Sequence, residues 1–237
     1  MATMPDLTYL DYFMGGVPPG PLFSINLADV EGVLRSARIP AHGLDPAAEL
    51  CFIGLVAYFE AFFRYHFAAL LNVCPQLIRQ LRSRGRDVSV DAGMLLGFDG
   101  DPSARLGFLL AERYELGTAK SINSLYTDLL LVTPFSKDEA ITFDRILNDR
   151  NLLVHHGGIY TSRYAGQTFV RRRAGQRVFF NSLVIRRQRV RSAASFFATI
   201  AKKTLVVSHK ALGEFVATNR VRPSAIQRKA IAALASW

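Results

Sequence analysis

Residues 50–73 form an almost unbroken apolar run, and this stretch limits the folds open to the chain more than any other. A segment of that length either crosses a bilayer or lies at the centre of a helical core. Glu60, Arg64 and His66 would fall near the middle of a span, where charge in lipid is costly, so a buried core helix is the preferred reading. Its limits are marked by Asp45-Pro46, an N-cap followed by a proline tolerated in the first turn, and by Pro75, which stops it. With 237 residues and 50% hydrophobic content, the chain can bury a sizeable core without disulfides or metals. The two cysteines, Cys51 and Cys74, sit in apolar helical stretches and read as reduced core residues. Asp6 and Asp11 near the start read against a secretory leader, so the expected location is the cytoplasm, with no membrane partner.

The remaining pattern predicts a mainly α chain. Residues 1–44 are rich in turn formers, including Gly15-Gly16 and Pro18-Pro19-Gly20-Pro21, and predict an extended arm packed on the main body, with one short helix over 26–38. The main domain then covers 45–218, leaving 219–237 as a tail with room for another short helix. Helices are expected over 75–83, 103–116 and 118–131, with a loop at 97–102. The clearest helix starts after Ser136, because Ser136-Lys137-Asp138-Glu139 is a capping box that satisfies two backbone donors reciprocally. Gly157-Gly158 supplies a left-handed stop, giving a helix over 137–156. Beyond it, short runs flanking Ala174-Gly175-Gln176 predict a small β-hairpin over about 167–185. A last helix over 189–218 places Phe197, Ile200, Val207, Leu212 and Phe215 at core spacing.

Charge is unevenly spread along the chain. Residues 150–237 carry seventeen Lys and Arg against one acid, Glu214, whereas residues 1–149 carry twelve basic and eighteen acidic side chains. The basic half suits a phosphate-rich partner, and Arg163, Arg171, Arg172, Arg173, Arg177, Arg186 and Arg187 are the expected RNA contacts. The plainer alternative is that these cations pair with the acids of the first half.

Projected at helical pitch, Ala140, Phe143, Leu147 and Val154 share one stripe of the 137–156 helix. Arg150 and Asn151 fall within it and His155 at its edge, while His156 projects to nearly the opposite side and reads as a bystander or phosphate contact. Polar groups on an apolar face need partners. Asn151 and His155 are spaced i, i+4 and can share one site. A structural network, with Arg150 paired to Glu60, is the plain reading of the same residues.

The stretch Arg150-Asn151-Leu152-Leu153-Val154-His155-His156-Gly157-Gly158 resembles the R-N-x-x-x-H form of the signature of the HEPN superfamily. Phe59-Glu60-Ala61-Phe62 resembles the acidic-residue helix of the RiboL-PSP-HEPN branch. The likeness covers roughly residues 45–215, and its specific part is the nine-residue stretch. It implies a HEPN-like helical bundle that forms a homodimer, and a metal-independent endoribonuclease leaving 2′,3′-cyclic phosphate ends. In that chemistry the 2′-hydroxyl of RNA is the nucleophile, so the protein supplies a proton acceptor and a stabiliser for the charged phosphorane. His155 suits the first task and Arg150 the second, with Asn151 orienting His155 or the phosphate; Glu60 is expected either to hold Arg150 from a neighbouring helix or to pair with Arg64 at i, i+4. Some family toxins carry H-x-Y with a modifiable tyrosine; here Gly157 occupies that tyrosine position.

Three functions follow as expectations. The first is a HEPN ribonuclease of toxin, phage-defence or stress type, with a possible antitoxin or regulatory protein as partner. The second is a non-catalytic HEPN-like module that binds RNA or a nucleotide, and the third a helical protein-interaction domain. No histidine–carboxylate spacing suits a metal, and no cofactor motif occurs, so neither is expected.

Overall fold

The computed structural model describes residues 7–38, 44–96, 104–168 and 180–237. Within them the chain is mainly helical, with short 3₁₀ turns at Tyr9–Tyr12 and Met14–Gly16 before the first long helix. The helices are α1 (Pro19–Ser36), α2 (Pro46–Val73), α3 (Leu77–Ser83), α4 (Ala92–Leu96), α5 (Leu106–Glu112), α6 (Ala119–Leu130), α7 (Lys137–His156), α8 (Ser162–Thr168), α9 (Arg187–Thr218) and α10 (Ala225–Ala233). Helix α1 starts seven residues before the expected Asn26, because Pro19 and Pro21 lie in its first turn, where a missing N–H costs nothing. Helix α2 is the one described helix long and apolar enough to cross a membrane; Phe52, Leu55, Phe59, Phe63 and Phe67 on it are fully buried in the protein. Both cysteines are free and buried, and burial pushes the Cys74 thiol up to about 11.

The contacts divide into two compact units, and α1, α2 and α9 each share their residues between them. The first unit comprises Met1–Ser24, Glu60–Phe135 and Thr199–Trp237. An aromatic cluster organises it: Phe63 meets Tyr126 edge-on at 5.7 Å, and His66 stacks on both Phe62 and Tyr126 at 5.8 Å. The buried Asn72 amide donates to Tyr12 O at 3.1 Å and accepts from Gly107 N at 2.6 Å, so one side chain joins the N-terminal turn, α2 and α5. The residues expected to be an arm are therefore built into a core, with Tyr12, Phe13 and Phe23 buried.

The second unit comprises Ile25–Phe59 and Ser136–Ala198 and carries the motif helix. Phe59 of α2 stacks on Phe197 of α9 at 4.0 Å, and Phe143 of α7 meets both edge-on at 5.3 and 5.8 Å. Three aromatic rings thus fix α7 against its neighbours. The start of α9 is held by charge: Arg187 Nε donates to Asp45 Oδ2 at 2.6 Å, and its other nitrogens donate to Leu34 O and Ala37 O. Asp45 at the same time caps α2 by accepting from Ala48 N at 3.2 Å. Arg187 is therefore a structural clasp, which corrects its expected role as an RNA contact: all three guanidinium nitrogens are engaged inside the fold. Arg191 likewise pairs with Glu31 at 3.0 Å, and with Arg35 it draws the Glu31 carboxyl down to about 2.

The expected hairpin is not present among the described residues. Gln167 and Thr168 belong to α8, and the described part of the second arm meets the chain through a single antiparallel bridge, Ile159 to Ser182. Residues 169–179, including Arg171, Arg172, Arg173 and Arg177, lie outside the described residues.

Candidate functional site

The motif helix begins and ends where its caps require. Ser136 Oγ accepts from Glu139 N at 3.3 Å, and Glu139 Oε2 accepts from Ser136 N at 2.7 Å. At the other end Gly157 has φ +56° and Gly158 φ +79°, left-handed values that only glycine adopts cheaply. The chain then turns and is pinned: Leu183 N donates to Gly158 O at 2.8 Å and Tyr160 N to Asn181 O at 2.9 Å. Thr161 starts α8 by accepting from Tyr164 N at 3.1 Å. Helix α8 is thereby folded back beside the last turns of α7.

An open cleft of about 270 Å³ lies between these elements, lined by Asn148, Asn151, Leu152, His155, His156, Thr161, Arg163, Tyr164 and Gln167. Its α7 wall follows helical spacing, since 148, 151, 152 and 155 repeat at i, i+3, i+4 and i+7. Two imidazoles, a guanidinium and three carboxamides line the space, and among the described residues no carboxylate does. Such a lining favours an anionic ligand with several oxygens.

The wall formed by α8 is anchored from below. Tyr164 OH donates to the buried Asp149 Oδ1 at 2.8 Å, and Asp149 Oδ2 accepts from Arg189 at 2.7 Å. Burial, with the Asp149 hydrogen bond and charge beside it, raises the Tyr164 hydroxyl well above its ordinary range. Tyr164 therefore stays a neutral donor at any physiological pH, and the ring of Tyr160 stacks on it at 5.3 Å.

The expected site residues separate in an informative way. Asn151 and His155 line the cleft together and are exposed, so Asn151 is not on the buried stripe assigned to it. The buried face of α7 is Phe143, Ile146, Leu147, Asp149, Leu152 and Leu153, and Val154 is exposed. Rotating the face in this way puts His156, expected to be a bystander or phosphate contact, into the cleft beside His155. Arg150 is half-buried and does not line the cleft. Glu60 is half-buried on α2 and belongs to the first unit, whereas Arg150 belongs to the second. Arg163 is exposed at the cleft and Arg186 is exposed just before α9. Among the described residues no group of three or more His, Cys, Asp or Glu side chains is placed to hold a metal ion.

No protein-family model, curated protein or solved structure matches this chain. What defines the protein at this point is its own geometry: a mainly helical chain with an imidazole-rich cleft, lined by no acid among the described residues, at the C-terminal end of a capped helix.

Proposed function

We propose that this chain is a metal-independent endoribonuclease of HEPN type, of the RiboL-PSP-HEPN-like branch, acting on RNA in the cytoplasm as part of a toxin, phage-defence or stress response. The observation that carries the reading is the joint placement of Asn151 and His155 on one open, acid-free cleft at the end of α7. In this reaction His155 accepts the proton of a 2′-hydroxyl as its oxygen attacks the adjacent phosphorus, and the Asn151 amide orients the imidazole or a phosphate oxygen. The departing 5′-oxygen takes up a proton, leaving a 2′,3′-cyclic phosphate and a 5′-hydroxyl. No redox change or metal-bound water enters the balance. Arg150 holds the motif position for phosphorane charge, and Arg163 and Arg186 extend the positive surface along which an RNA backbone lies. A homodimer and a regulatory protein such as an antitoxin belong to the same proposal.

A non-catalytic module that binds RNA or a nucleotide is the second reading, and the position of Arg150 outside the cleft lining favours it. Purified protein incubated with single-stranded RNA in EDTA separates the two. The nuclease reading expects cleavage that His155→Ala reduces by about 100-fold or more while RNA affinity is kept. Binding without cleavage by the unaltered protein rejects it in favour of the module.

A further inference from the structure

The cleft contains more chemistry than the R-N-x-x-x-H stretch provides. His156 follows His155 immediately, both are exposed, and both line the same space as Arg163. We propose that His156 is the second proton-transfer group of the site and Arg163 its phosphate-holding cation, so that one chain supplies the acid, the base and the guanidinium. This rests on the ribonuclease reading and deepens it by locating the whole acid–base pair in a single copy.

The balance of the step requires two proton transfers. As the 2′-oxygen bonds to phosphorus, its proton passes to the His155 imidazole; as the P–O5′ bond breaks, the leaving oxygen takes the proton carried by the His156 imidazolium. Two groups in opposite protonation states are needed at once, so a cleft with one imidazole would leave one transfer to water. Adjacent helical positions project about 100° apart, so two imidazoles lining one cleft can serve bond formation and bond breaking from different directions. Arg163 lies on α8, across the cleft from α7, where its planar fork can bind two phosphate oxygens.

The test uses the whole 237-residue chain and four variants, all at exposed positions: His155→Ala, His156→Ala, Arg163→Ala and Arg163→Lys. Cleavage of single-stranded RNA is followed in EDTA across pH 5–9 (an assay range of about four units around the ordinary imidazole value), with circular dichroism as the check on folding. The unaltered protein is expected to give a bell-shaped profile. His156→Ala is expected to lose about 100-fold or more of kcat and the high-pH limb, with RNA affinity kept. Arg163→Ala is expected to weaken RNA binding and cleavage together, and Arg163→Lys to recover part of both. A mixture of His155→Ala and His156→Ala chains is expected to stay inactive, because neither chain holds both groups. Wild-type activity or a retained bell in His156→Ala overturns the proposal, as does recovery on mixing, which would draw the two imidazoles from different chains. If the unaltered protein cleaves nothing, the ribonuclease reading itself fails and this assignment falls with it.

Discussion

His66 lies fully inside the first unit, stacked between Phe62 and Tyr126, and shares a hydrogen bond of 2.8 Å with the Tyr126 hydroxyl. Burial alone pushes it down to about 3 from an ordinary 6.5, so the folded protein keeps it neutral. Between those values the unfolded chain binds the proton and the folded chain does not, and stability therefore falls as pH drops from 6.5 toward 3. The loss approaches about 1.4 kcal/mol per pH unit for one such proton. Urea midpoints at neutral and mildly acidic pH are expected to fall for the unaltered protein and to flatten for His66→Gln; equal slopes would contradict the assignment. At this scale the sequence told the type of residue but not its surroundings. Arg186 and Arg187 look alike as neighbours in a basic run, yet one is exposed and the other is the clasp on Asp45, 142 positions away in the chain. Pairings across such distances leave no local pattern to read.

Elements were most legible where local chemistry sets their ends. The capping box at Ser136 and the glycines at 157 and 158 bound α7 as expected, and the helix expected over 118–131 runs Ala119–Leu130 behind a second capping box at Thr118. Elements without such marks were misread: prolines in the first turn of α1 looked like breakers, and the seven residues of α8 were too few to show a helical period. The rotation of α7 was also misjudged, because a stripe read from four apolar residues counted Val154, which is exposed. That error set His156 on the far side of the helix, where it read as a bystander or phosphate contact. Packing of α5 against α2 gives a sharper check at this scale. A Cβ on Gly107 would stand 2.2 Å from Ala68 O and 2.6 Å from Asn72 Oδ1, so the two helices approach only because no side chain is present. Gly107→Ala gains about 1 kcal/mol of helix propensity but must move a backbone carbonyl. A net destabilisation of about 1–3 kcal/mol is expected, read as a lower urea midpoint. An unchanged midpoint would contradict the close approach.

For the molecule as a whole, the +10 net charge describes two different uses of positive charge. Arg187, Arg189 and Arg191 at the start of α9 are spent on Asp45, Asp149 and Glu31, acids of the first 149 residues, which is the internal pairing weighed as the plainer reading of the charge asymmetry. Arg163 stands instead at a cleft with no carboxylate in its lining. The helical class was legible from periodicity, and the Asn151–His155 pair from its spacing. The cleft itself was not, because it depends on the turn at Gly157-Gly158 returning α8 to the side of α7. The central claim is that this cleft turns the 2′-hydroxyl of RNA on its own phosphate. The most direct measurement is the chemical identity of the product ends after incubation with RNA in EDTA, read by mass spectrometry. Ends carrying 2′,3′-cyclic phosphate and 5′-hydroxyl are expected, and their yield should vanish with His155→Ala. Products ending in 5′-phosphate and 3′-hydroxyl would contradict the account.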